Sequence, residues 1–149
     1  MLSEEQFLSV VAATPLVSID FVIRNEAGEV LLGKRVNRPA QGLWFVPGGR
    51  IRKDERIADA FLRIAKRELG LSIERSQATL LGAFDHIYPD NALGADGIST
   101  HYVVLAHALA LPAETRFAPD EQHSEMRWWS VEKMLRSDAV HENTKAYFR

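Results

Sequence analysis

The chain has 149 residues, of which 46% are hydrophobic and 26% charged, the balance of a soluble globular protein with one core. Eighteen basic and twenty acidic side chains leave a net charge of −2, which gives no general electrostatic case for nucleic acid or an anionic membrane. The absence of cysteine excludes disulfides, thiolate catalysis and cysteine-ligated zinc or iron–sulfur centres.

Ser3-Glu4-Glu5-Gln6 has the form of a capping box, and Phe7, Val10 and Val11 follow at helical spacing. A short helix ending before Pro15 is therefore predicted. No basic segment followed by an apolar run opens the sequence, and no apolar run approaches the length of a membrane span, so a cytoplasmic location is expected. Residues 16–23 are apolar and β-branched, Asn25-Glu26-Ala27-Gly28 is a turn, and residues 29–34 read as the second arm of a hairpin. A loop at 38–42 leads to a short strand at 43–46, broken by Pro47-Gly48-Gly49.

From position 54 or 55 to 69 apolar residues recur at helical spacing, and Gly70 stops the helix. Residues 79–87 and 98–111 read as strands around a polar loop at 88–97, the second being central because both its faces are apolar. A last strand at 126–129, a helix capped by Ser130 and a short helical piece after His141 complete the chain. No repeat or linker interrupts it, so a single domain over 1–149 is expected, an α/β/α sandwich around a mixed sheet.

The chemistry concentrates in Gly48-Gly49-Arg50-Ile51-Arg52-Lys53-Asp54-Glu55 and the helix after it. Two glycines behind a strand let the backbone come close to a ligand, and a carbonyl there is a hard oxygen donor suited to Mg²⁺. Glu68, near the far end of the helix, can offer a carboxylate to the same ion. Arg50 and Arg63 carry guanidinium forks suited to phosphate.

This segment resembles the Nudix box, in which Gly, Glu, Arg-Glu, Glu-Glu and Gly recur at fixed spacing. Gly49, Glu55, Arg63, Glu68, Gly70 and Leu71 fall in register. Ile64 and Arg67 stand where the box has glutamates, and Ala65 is a small substitute for an aliphatic residue. Of the three central carboxylates only Glu68 is left, which argues for one metal and removes the usual activators of water.

The longer runs Thr14-Pro15-Leu16-Val17-Ser18-Ile19-Asp20-Phe21, Leu31 through Arg50, Thr100-His101-Tyr102-Val103-Val104-Leu105 and Pro119-Asp120-Glu121-Gln122-His123 are similar to the GDP-mannose mannosyl hydrolases, a Nudix subgroup. The resemblance implies a Nudix-type sandwich, a homodimer, Mg²⁺ as cofactor and a nucleotide-sugar substrate, GDP-mannose. It also implies water attack at C1 of the sugar with inversion, His123 being the general base and Gly48, Glu68 and Gln122 the metal ligands. Arg35 and Arg50 are implied at the diphosphate.

Asp20, Tyr102 and His86 are implied substrate contacts. A buried ion pair, a core aromatic and a core histidine, respectively, are the competing roles. Arg63 is either a further substrate contact or a brace pairing with a carboxylate such as Glu55. His101 reads as a strand histidine, and Trp44, Trp128 and Trp129 as core. Two other functions stay open: a Nudix pyrophosphohydrolase that cuts a P–O bond with a carboxylate base, and a non-catalytic nucleotide-sugar-binding domain.

Overall fold

The computed structural model describes residues 1–119 and 123–149, the side chains of His123 and Ser124 excepted. Ser3 caps the first helix, α1 (Glu4–Ala13), by accepting the Gln6 backbone N–H while Gln6 returns the bond. Strands β1 (Leu16–Arg24) and β2 (Val30–Arg35) form the expected hairpin about Gly28, whose φ of 77° suits a residue without a Cβ. Then follow β3 (Trp44–Phe45), β4 (Gly48–Arg50), α2 (Ile57–Leu69), β5 (Thr79–Tyr88), β6 (Thr100–Ala110) and β7 (His123–Trp129). Two short helices, α3 (Val131–Arg136) and α4 (Glu142–Lys145), and a 3-10 turn at Ala146–Phe148 close the chain.

The strands join in one mixed sheet, in the order β3-β2-β1-β6-β5, with β4 paired to β1 and β7 to β2. β1 and β6 run parallel and stay in register from Leu16 opposite Tyr102 to Arg24 opposite Ala110. Side chains alternate across each strand, so β1 sends Ile19, Phe21 and Ile23 to one face and Ser18, Asp20 and Val22 to the other. The first face buries against Ala60, Phe61, Ile64, Ala65 and Leu69 of α2, with the Phe21 and Phe61 rings edge to face at 5.0 Å. Each such aromatic burial is worth about 1.5–3 kcal/mol. Across the sheet Val30, Leu32, Trp44 and Val46 pack on Met134 and Val140, making the second core. The α/β/α sandwich is thus as expected from the sequence.

Several boundaries differ from the sequence reading. α2 begins at Ile57 rather than at Asp54 or Glu55, because Asp54 has a φ of 65° and the Glu55 carboxylate accepts the Arg52 N–H instead of leading the helix. Pro47-Gly48-Gly49 does not end pairing; Gly48–Arg50 is itself a strand, laid on Ser18, Ile19 and Asp20. A Cβ at Gly48 would collide with the Ile19 carbonyl and the Asp20 carboxylate, so only glycine permits this approach. β6 starts at Thr100, because the Asn91 amide donates to the carbonyls of Ala95 and Ile98 and folds the preceding residues into a loop. β7 begins at His123 instead of Met126, its Cα opposite that of Arg35.

Candidate active-site cleft

Residues of β1, β2, β4, α2, β5 and β6 line a cleft of about 1210 Å³. Asp20, Arg35, Gly48 and Arg50 line it, and so do Arg63, Glu68, His86 and Tyr102. Every described residue singled out from the sequence as a site residue therefore faces one cavity. Gln122 and the side chain of His123 lie outside the described residues.

The charge of that cavity is unlike that of the chain. Among the described residues six arginines (35, 38, 50, 52, 63 and 67) and Lys53 line it, against two carboxylates, Asp20 and Glu68. In a protein of net charge −2 this concentrates cationic potential in a concave space, which suits a polyanion. Arg35 packs its guanidinium over the Phe45 ring at 5.2 Å, and its buried Nε has no partner among the described residues. Arg50 lies over the Phe7 ring of α1 at 5.1 Å. Both heads rest on aromatic faces, a contact that positions a guanidinium and leaves its charge in place.

Arg63 is engaged otherwise. Its Nε donates to Glu55 at 2.7 Å, and its Nη2 donates to Glu55 at 2.9 Å and to the Arg50 carbonyl at 2.9 Å. The forked pair ties the loop after β4 onto α2 and holds the Glu55 carboxyl down at about 2, the Arg63 hydrogen bonds contributing most. The brace anticipated for Arg63 is the geometry found, although the side chain still borders the cleft.

The oxygen donors are suited to a hard divalent cation. Phe21 donates its N–H to the Pro47 carbonyl and Ile51 donates to the Val17 carbonyl. The alternation of an antiparallel ladder then turns the carbonyls of Gly48 and Arg50 away from β1. Arg63 takes that of Arg50, and the Gly48 residue borders the cleft. Glu68, with only 2% of its surface exposed, supplies a carboxylate from α2 to the same cavity. A backbone carbonyl and one buried carboxylate are the donor types Mg²⁺ uses alongside water and substrate phosphate. Among the described residues no group of three or more histidine, aspartate or glutamate side chains is arranged around a metal.

Ile64 and Arg67 explain why the acidic face of α2 is thin. Ile64 is 1% exposed and packs on Gly49, so its position belongs to the core as much as to the cleft. Arg67, one turn on, is exposed and borders the cleft as a cation.

Asp20 sits on the wall formed by β1, β5 and β6. Burial pushes its carboxyl up to about 7, partly offset by a hydrogen bond from Tyr147 and by Arg35, and reinforced by Glu68. The Tyr147 hydroxyl donates to Asp20 Oδ2 at 2.7 Å and lies 3.3 Å from His86 Nε2. Burial also drives His86 down to about 4, so the ring is neutral. Tyr102 stands beside His86 in the β5–β6 ladder, and burial raises its phenol. His101 instead meets Asp85 at 3.1 Å near the surface, away from these groups.

Tyr147 is the residue that sequence reasoning missed. It lies 127 positions from Asp20, in a closing turn without a motif, and no spacing rule points to it. Tyr88, read as the first loop residue, closes β5 and lines the cleft, its phenol raised to about 12 by burial.

Comparison with known proteins agrees with this geometry. The NUDIX domain model matches residues 14–149. The chain is 42% identical over 125 residues to the Low-salt glycan biosynthesis protein Agl8 of Haloferax volcanii, covering 83% of this chain and 76% of that protein. Among solved structures it is similar to a MutT protein from Methanosarcina mazei Go1, with a TM-score of 0.70, 23% identity, and coverage of 91% of this chain and 92% of that one. A MutT NUDIX hydrolase from Burkholderia pseudomallei superimposes with a TM-score of 0.69 at 29% identity, over 89% of this chain and 95% of that one. With the box in register on α2 and its cleft rich in guanidinium groups, the chain belongs to the NUDIX domain family of hydrolases.

Proposed function

We propose that this Nudix hydrolase cleaves GDP-mannose to GDP and mannose, by attack of water at C1 of the sugar with inversion. The observation that carries the reading is the charge of the cleft: six arginines and a lysine beside two carboxylates among the described residues. Such a site is built to receive a departing diphosphate rather than to array several metal ions on acidic side chains. The motif resemblance supplies guanine and mannose, and the similarity to a glycan biosynthesis protein agrees with a nucleotide-linked sugar.

A nucleoside diphosphate is a good leaving group, so the reaction needs no protonated acid behind the bond being broken. Arg35 and Arg50, already fixed on aromatic rings, bind the diphosphate and stabilise its growing negative charge. His123 removes the proton from the attacking water as general base. The Cα of His123 lies opposite that of Arg35 in the β2–β7 pairing, and Arg35 lines the cleft, which supports that role. Asp20, Tyr102 and His86 receive the remainder of the substrate, and Arg63 holds the loop that carries Arg50. Gly48, Glu68 and Gln122 would hold Mg²⁺, whose chemistry there is charge neutralisation at the diphosphate. A homodimer in the cytoplasm, each chain a single domain over 1–149, belongs to the same reading.

Chromatography of products after incubation with GDP-mannose and Mg²⁺ tests it. GDP and free mannose are expected. GMP and mannose 1-phosphate would place the protein with the pyrophosphohydrolases, with Glu68 as candidate base. Binding without turnover across several nucleotide-sugars would make it a sensor.

A further inference from the structure

The end of the chain is hydrogen-bonded along the outer edge of β3, the first strand in the order of the sheet. Trp44 donates its N–H to the Ala139 carbonyl at 2.8 Å, and its own carbonyl accepts the His141 N–H at 3.2 Å. Two residues on, the buried Val46 N–H donates to the Thr144 hydroxyl at 3.2 Å. Residues 139–144 thus satisfy a strand edge that would otherwise be open, and they set the His141 ring against Phe45.

His141 is fixed by two contacts of different kinds. Its Nδ1 accepts the Asn143 backbone N–H at 3.0 Å, which caps α4. An accepting Nδ1 carries no hydrogen, so the ring is neutral, in keeping with burial that lowers it from its ordinary value. The same ring stacks on Phe45 with centroids 4.8 Å apart and planes 21° from parallel. Phe45 in turn carries the Arg35 guanidinium at 5.2 Å from its centroid, and both of these residues line the cleft. Arg35 Nε is buried without a hydrogen-bond partner among the described residues, so the plane of the Phe45 ring bears on where the cation sits. His141 does not itself line the cleft, and its effect on a bound anion passes through Phe45.

We propose that His141 is a positioning residue for diphosphate binding: stacked on Phe45, it fixes the ring on which the Arg35 guanidinium rests. The inference rests on the diphosphate reading of the cleft given above and deepens it by adding a residue that acts from outside the cleft.

Two variants separate the stack from the helix cap. His141→Asn keeps a side-chain oxygen for the Asn143 N–H and removes the ring, whereas His141→Phe keeps a ring and removes the acceptor. The dissociation constant of GDP is measured by calorimetry with Mg²⁺ present, for each variant and for His141→Asn in an Arg35→Ala background. His141→Asn is expected to weaken GDP about fivefold, within the worth of a cation–π contact, and His141→Phe to recover binding to within about twofold of wild type. With Arg35 replaced, His141→Asn is expected to change the constant by less than about twofold, because the group through which it acts is gone.

The same fivefold loss in both backgrounds would mean a general structural effect, and no loss in either would mean that the stack positions nothing. Normal binding by His141→Asn with weak binding by His141→Phe would make His141 a helix cap alone. Each of these, found in a protein that binds GDP, overturns this inference and leaves the proposed function untouched. A wild-type protein that binds no GDP is a distinct result: it overturns the diphosphate reading and this inference together before any substitution is made.

Discussion

At the residue scale the site is a division of labour between guanidinium groups that are free to bind and one that is not. Arg35 and Arg50 are backed by aromatic faces, whereas Arg63 spends its fork on Glu55 and the Arg50 carbonyl. The Glu55 pair also sets a pH window. Its folded carboxyl titrates at about 2 rather than 4.5, so its contribution to stability is fully present above 4.5 and is lost as pH falls toward 2. Glu55→Gln is therefore expected to destabilise the fold by about 1–2 kcal/mol at neutral pH, a figure discounted for solvent screening. That difference should shrink below pH 4 in denaturant titrations; a penalty constant with pH would mean that the charge of Glu55 is irrelevant. The proposed base gives a second prediction. His123→Gln should lower kcat by about 10²–10⁴ while GDP affinity changes little, and near-normal turnover would remove His123 from the chemistry.

At the scale of elements, α2 and β4 carry the argument. The helix was legible because its apolar period and the box spacing coincide, and the structure moves only its first turn, where Glu55 prefers Arg63 and the Arg52 N–H. β4 was not legible, because Pro-Gly-Gly looks like an ending. What makes it a strand is the closeness of Gly48 to β1, a tertiary fact with no trace in local propensity. Asp20 was legible as an oddity, a carboxylate in an apolar run that needed a partner, but the partner Tyr147 was not. Likewise Arg63 could be read as brace or ligand contact until its distances decided the geometry. The box itself yields a third prediction. Ile64 is buried against Gly49, so Ile64→Glu puts a carboxylate into the α2 core at a cost of about 3–5 kcal/mol. The double variant Ile64→Glu, Arg67→Glu, which completes the box in sequence, should lower the melting temperature and should not raise GDP-mannose hydrolysis. A large gain in turnover would mean that the absent carboxylates, rather than a base outside the box, limit the reaction.

At the scale of the molecule, a mildly acidic chain brings six of its thirteen arginines to one concavity and leaves the helix beneath it with a single buried carboxylate. The sheet makes this possible. β1 carries Asp20 beside Gly48 of β4, β5 and β6 bring His86 and Tyr102 to the same wall, and β2 aligns Arg35 with His123. That arrangement suits stabilising a diphosphate as it leaves carbon. The most direct measurement is hydrolysis of GDP-mannose with Mg²⁺ in ¹⁸O-labelled water, with each product analysed by mass spectrometry. Label in mannose alone is the predicted result, since water then attacks C1. Label in the terminal phosphate of GDP would show attack at phosphorus and contradict the account.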